Sequence, residues 1–326
     1  MTAQGPAHVI APISRIDRVT GRGIRERDRR LRTEDRRRPG RRDIEAHEAL
    51  IERLTKAHQV AFEPIDWDKL EAEGPVVPTV ARDAVSAIAR QKLANYRPSL
   101  IDGLLGLERE KRRELTNKVV EAARADAELY GRAQAQAAAH NRMLALAADA
   151  RAMQAEAIAG VLKANGAATA LKEMVEGFRL YAEGKSRLIG QVDLWEYDAL
   201  PDEAATSAGY APVPDADRNQ LQLDNACAVA LRAAVEILQA APIPEVEIVA
   251  RLCRPGGLVD ADIEPVLHVK VSAAALAKLQ LRKLDAAPTA VALGAQVDWT
   301  AARGLAPIRI DDPGLMRLTA PRIAAA

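Results

Sequence analysis

Aromatic residues are scarce: two Phe, five Tyr and three Trp in 326 residues. The core must therefore be filled by Leu, Val, Ile and above all Ala. Alanine lets helices approach closely but buries little apolar area per side chain. Cysteine is scarcer still. Cys227 and Cys253 stand apart with no CxxC pair, which argues against a zinc or dithiol motif. Both read as reduced, small apolar residues. No apolar run approaches the ~18 residues that span a bilayer, and the first residues, MTAQGPAHVIAPISRIDR, lack the apolar segment of a signal peptide. A cytoplasmic location is expected. An excess of one charge is also missing. The formal net charge is +1, so the molecule as a whole has no bias toward polyanions.

Proline is missing from the middle of the chain, between Pro98 and Pro201. Within that span, Leu107 to Ala159 holds a single glycine, Gly131. The stretch predicts a long helix supported by i,i+4 pairs: Glu108–Arg112, Glu114–Lys118 and Glu128–Arg132. Its seam is alanine, at 122, 123, 133, 137, 147 and 148, between sparse larger residues such as Leu115, Val119 and Leu129. A helix of that length either folds back, at Gly131 or at Gly160–Gly166, or pairs with another chain. Leu171, Val175, Phe178 and Tyr181 extend the helical spacing through 168–183.

Charge is abundant only locally. Between Arg15 and Arg42 there are thirteen Arg, no Lys and five acids, a local charge of +8 that leaves −7 for the rest of the chain. Arg22, Arg25, Arg29, Arg30, Arg36, Arg37, Arg38, Arg41 and Arg42 are the candidates for binding a polyanion. No aromatic residue interleaves them, so base stacking is not available to this arm.

Beyond Gly184 the period changes from helical to alternating. Strands are expected from Gln191 to Tyr197, from Val246 to Cys253 and from Pro265 to Val271, with helices over 218–240 and 272–284. The fold class is therefore mainly α with a C-terminal α+β domain: a helical hairpin or coiled coil, then β-α-β-β-α. The expected divisions are a disordered Arg-rich arm over 1–46, the helical domain over 47–184, the small α+β domain over 185–286 and a weakly structured tail over 287–326.

Candidate chemistry is thin. The five histidines form no ligand set, and no HExxH, GxGxxG or Walker loop is present. Gly184-Lys185-Ser186 resembles the end of a phosphate loop, but Arg179 stands where that loop needs its first glycine. Asp262, Glu264, His268 and Lys270 are the remote catalytic candidates: carboxylates followed by a strand-borne lysine occur in metal-dependent nucleases. Here the residue two before the lysine is His268, and a neutral imidazole suits hard Mg²⁺ poorly. No cofactor is implied. The function expected is non-catalytic: an assembly, adaptor or scaffold protein pairing through its helices, as a homo-oligomer or with a protein partner. Nucleic-acid association through the arm is the alternative.

Overall fold

The computed structural model describes residues 39–98, 107–183, 187–253, 263–312 and 315. The chain divides into two compact units, one built from residues 1–66 and 148–326, the other from the intervening 67–147. The second unit is thus an insertion within the first.

The inserted unit is helical. It contains α2 (Trp67–Glu73), α3 (Ala84–Ala94) and most of α4 (Glu108–Arg151). At 44 residues α4 is about 66 Å long and passes through Gly131 without a break. That glycine is exposed, and a Cβ built on it would meet nothing. Its cost is therefore the backbone entropy of glycine alone, about 1 kcal/mol. The expected ion pairs Glu108–Arg112, Glu114–Lys118 and Glu128–Arg132 all form along its exposed side.

Helix α4 does not fold back on itself. The segment from Gly74 to Ser86 runs antiparallel to α4. Asn141 clamps Val76 by donating to its carbonyl and accepting from its amide, both at 2.9 Å. His140 donates its Nε2 proton to the Gly74 carbonyl, 2.9 Å away. Further along, the Arg82 guanidinium lies 4.7 Å from the centre of the Tyr130 ring. The strap Gly74–Pro78 cannot form helix because of Pro75 and Pro78, so its backbone groups need these side-chain partners. At the end of the strap, Asp126 of α4 accepts from the amides of Val85 (3.1 Å) and Ser86 (2.7 Å). The N-cap residue of α3, Asp83, makes no side-chain cap bond. Asp126 supplies that function from the neighbouring helix.

The other unit is built on a mixed six-stranded sheet of order β1-β2-β5-β6-β7-β8. Its strands are β1 (Gly177–Glu183), β2 (Arg187–Asp193), β5 (Glu245–Cys253), β6 (Ile263–Ser272), β7 (Gln296–Thr300) and β8 (Gly304–Ala306). The pair β2/β5 is parallel and the other pairs are antiparallel. The β2-to-β5 crossover carries a separate hairpin, β3 (Glu203–Thr206) with β4 (Gly209–Pro212), and then α7 (Asp215–Ala240).

Eighteen of the 26 residues of α7 are buried, so this helix is covered on more than one side. The sheet lies against one face. There a Cβ on Gly190 would sit 2.7 Å from Ile248 and 2.9 Å from Ile237 of α7, so β2 needs glycine for the helix to dock. Around the rest of α7 pack α1 (Arg41–Lys56), α5 (Ala155–Ala164), α6 (Ala167–Lys172) and α9 (Ala286–Ala292). Leu54 of α1 joins Leu200 and Leu221 in one buried cluster. The extended connector after α1 is pinned by Arg232 and Gln239 of α7, which donate to the carbonyls of Ala57 and Ala61, and by the Ile65 amide, which donates to the Gln239 carbonyl. Cys227 is fully buried in α7, and burial pushes its thiol up to about 12. It is the core thiol the sequence indicated.

Several expectations need correction. Residues 168–183 are not one helix: α6 stops at Lys172 and β1 begins at Gly177. The spacing Leu171–Val175–Phe178 fits a helix, but Phe178 and Leu180 are both buried and alternate with less buried Arg179, a strand pattern in the same letters. The expected boundary between 184 and 185 consequently falls inside the β1/β2 hairpin, whose register pairs Gly177 with Asp193 and Glu183 with Arg187. The strand placed over 191–197 starts earlier, at Arg187, and stops at Asp193. The helix expected over 272–284 is one turn, α8 (Ala273–Leu276), followed by a 3-10 turn at Leu281–Lys283. The expected loose tail contributes most of α9, with β7 and β8. The β-α-β-β-α order therefore describes only β2, α7, β5, β6 and α8. Most of the arm over 1–46 lies outside the described residues, but α1 begins within it, at Arg41.

Candidate functional site: two charged clusters on the open face of the sheet

Side chains alternate across a strand, so the face opposite α7 carries Arg179, Tyr181, Arg187, Ile189, Gln191, Asp193, Glu247, Val249, Arg251, His268 and Lys270. The registers place them side by side: Ile189 beside Glu247, and Glu247 opposite Lys270. Two charged clusters result.

The first lines a cleft of about 350 Å³ formed by Arg187, Leu188, Glu245, Glu247, Lys270 and Asp312. Arg187 is its hub. It grips Glu247 through two bonds of 2.8 and 3.0 Å, Glu183 at 2.7 Å and Asp312 at 2.7 Å. His268 adds a bond to Glu247 at 3.3 Å, and Lys270 pairs with Glu245 at 2.6 Å. The His268 bond and the Arg187 guanidinium hold the Glu247 carboxyl down to about 2. Glu247 first, then Asp312 and Glu183, raise the Arg187 guanidinium, and Glu245 raises the Lys270 ammonium. Each of these shifts moves a group further from neutrality. A general acid or base needs the opposite, a group poised near the working pH.

The second cluster is more deeply buried. Arg251 is 1% exposed and Asp193 5%, yet they form an ion pair with contacts of 2.6 and 2.8 Å. Gln191, with its amide oxygen turned toward the guanidinium, accepts from Arg251 while its nitrogen reaches the Tyr181 hydroxyl at 2.7 Å. Arg179 approaches the same aspartate at 3.8 Å. Burial lowers the Arg251 guanidinium, and Asp193 opposes that shift. A buried pair of this kind contributes little net stability but is costly to break, because one charge is then left without its partner.

The sequence-predicted residues fare unevenly. His268 and Lys270 do share a face and meet in the cleft. Glu264 does not join them: it sits opposite Leu252, beyond the register shift near Ala250/Arg251, about 13 Å from His268 along the strand. Asp262 lies outside the described residues, as do Arg22, Arg25, Arg29, Arg30, Arg36, Arg37, Arg38 and the Gly184-Lys185-Ser186 segment. Arg41 and Arg42 are exposed in the first turn of α1, where Arg41 pairs with Glu45. Among the described residues, no group of three or more His, Cys, Asp or Glu is arranged to hold a metal ion. No helix among them is long and apolar enough to cross a membrane.

Sequence reading missed Arg187, Glu247, Asp312, Asp193 and Arg251. A signal was present in Glu245-Val-Glu-Ile-Val, where acids alternate with apolar residues and mark a strand face carrying charge. What that face meets depends on register across 60 to 125 residues. No protein-family model, curated protein or solved structure gives a significant match to this chain.

Proposed function

We propose that the chain is a non-catalytic assembly or adaptor protein that acts through pairing of its helical unit, most simply with a second copy of itself. One observation carries this reading. Among the described residues, eight large hydrophobic side chains are strongly exposed, and six of them belong to the helical unit: Val77, Val80, Val85, Ile88, Val120 and Leu129. Single exposed apolar residues are ordinary, and it is their concentration in this unit that supports an interaction role for it.

Light scattering on the full chain tests the proposal. The wild type is expected to be a homo-oligomer, and Val120→Glu with Leu129→Glu to shift it toward monomer at unchanged helicity. A wild type that stays monomeric at every concentration, or a variant that assembles equally well, overturns it.

A second reading, nucleic-acid association, is favoured by the charge separation of +8 in the Arg15–Arg42 segment against −7 elsewhere. It requires binding that weakens steeply with salt and disappears when residues 1–38 are removed. Binding that survives that deletion sinks it.

A further inference from the structure

The cations of α4 fall into two kinds. Arg112, Lys118 and Arg132 each hold a glutamate one turn earlier, at 3.5, 2.5 and 3.3 Å. Arg109, Arg113, Arg124 and Arg142 are exposed and hold no carboxylate among the described residues. At about 100° per residue these four fall within about 60° of one another around the helix, and they span about 50 Å along it. The line they define carries no acidic residue. Between them on that line come Asn117, Val120, Ala127 and Gly131, all exposed. The nearest carboxylates, Glu110, Glu121 and Glu128, sit along one edge, and Glu128 is already taken by Arg132. The strap packs on a different face, through Asp126, Tyr130 and Asn141, so it leaves the line of arginines open.

We infer that this line binds the sugar–phosphate backbone of a nucleic-acid duplex without regard to base sequence. Four observations select that partner. The line is longer than one turn of a duplex, about 34 Å, so a regular rod of anions engages all four guanidiniums where a small anion meets one or two. Arginine pairs with phosphate oxygens through a charge-assisted fork, and the short side chains between the arginines let a backbone come close. The one aromatic residue of α4, Tyr130, lies on the strap side beneath Arg82, so no ring is offered for stacking the bases of a single strand. A helix that lies on a lipid surface buries large apolar residues there, and Val120 is the only one on this line. The wider field agrees. Outside the Arg15–Arg42 segment the chain carries −7, of which residues 67–147 contribute +2 (thirteen basic, eleven acidic) and the remainder −9. A polyanion is therefore drawn to the helical unit and repelled by the other.

The test uses the full chain and fluorescent DNA and RNA duplexes of ~30 base pairs, with affinity followed against salt by anisotropy. The line variant changes Arg113, Arg124 and Arg142 to Gln. A control of equal charge changes Arg112, Lys118 and Arg132 to Gln. The line variant is expected to flatten the salt slope by about 2–3 and to weaken binding at ~0.1 M salt on the order of a hundredfold. The control is expected to keep most of the wild-type slope, at the same helicity. Equal losses in the two variants, an unchanged slope in the line variant, or a wild type that binds neither duplex each overturn the inference. Binding that depends on residues 1–38 but not on the line also overturns it, while leaving the arm reading intact. Light scattering on the line variant is expected to match the wild type, so this inference and the assembly proposal fail separately.

Discussion

The helical unit and the sheet unit solve the same problem with different materials. In the helical unit the contacts are thin. Of the expected alanine seam of α4 only Ala122, Ala137 and Ala147 are buried, and the strap beside the helix is fastened by polar side chains reaching backbone groups: Asn141 on Val76, His140 on Gly74, Asp126 on the start of α3. In the sheet unit the contacts are dense. Helix α7 is buried around most of its girth, Gly190 is required for its docking, and even full charges are taken into the interior as Asp193–Arg251. The difference teaches where each unit is vulnerable. Side-chain clamps on backbone fail one bond at a time and cheaply. A close-packed core with internal charge fails at single atoms and at high cost.

The largest expected effect follows from that contrast. Asp193→Ala takes from the buried Arg251 the carboxylate it meets at 2.6 Å and is expected to destabilise the sheet unit by about 3–5 kcal/mol. The urea midpoint reads this, and a loss below about 1 kcal/mol would mean that solvent reaches the guanidinium. Next comes acid. The folded Glu247 carboxyl lies near 2, well under its ordinary 4.5. It therefore contributes stability above that ordinary value, which drains away as pH falls toward 2. The contribution is on the order of 2–3 kcal/mol, and Glu247→Gln is expected to flatten that part of the stability–pH curve. An unchanged acid limb in the variant would remove Glu247 from the account.

Asn141→Ala comes third. It unfastens two backbone bonds of the strap and is expected to cost about 1–2 kcal/mol, read as faster amide exchange at Val76. If exchange there is unaltered, the strap is held by its prolines and not by the clamp. The smallest effect belongs to Val120→Glu and Leu129→Glu, which are expected to change stability by less than about 0.5 kcal/mol even as they reduce assembly. A large loss of stability would reassign both residues from the surface to the fold.

How much of this was legible differs between the two units for the same reason. Helix α4 was readable because its supports lie three and four residues apart, as with Glu114 and Lys118. The C-terminal end of α7 was readable from Pro242, whereas its start, at Asp215, falls three residues before the expected 218. The strand β1 was not, because Phe178 fits a helical and an alternating period equally well and only its pairing with β2 decides. The cleft was half legible. His268 and Lys270 share a strand, and alternation alone puts them on one face. Arg187 and Asp312 reach that face from strand order and from the tail, and nothing local announces either.

The insertion of residues 67–147 within the other unit has a consequence for the order of events during synthesis. Helix α1 emerges early, but its partner α7 is some 170 residues further on, as the Asn225 bond to the Leu54 carbonyl records. The helical unit is complete long before that and rests on contacts of its own. By the time α7 appears, the gap that α1 must close is therefore bridged in large part by a prefolded segment rather than a free coil, and closing it costs less entropy than the residue count suggests. The nascent chain is expected to acquire its structure from the middle outward, with its earliest helix among the last to be seated.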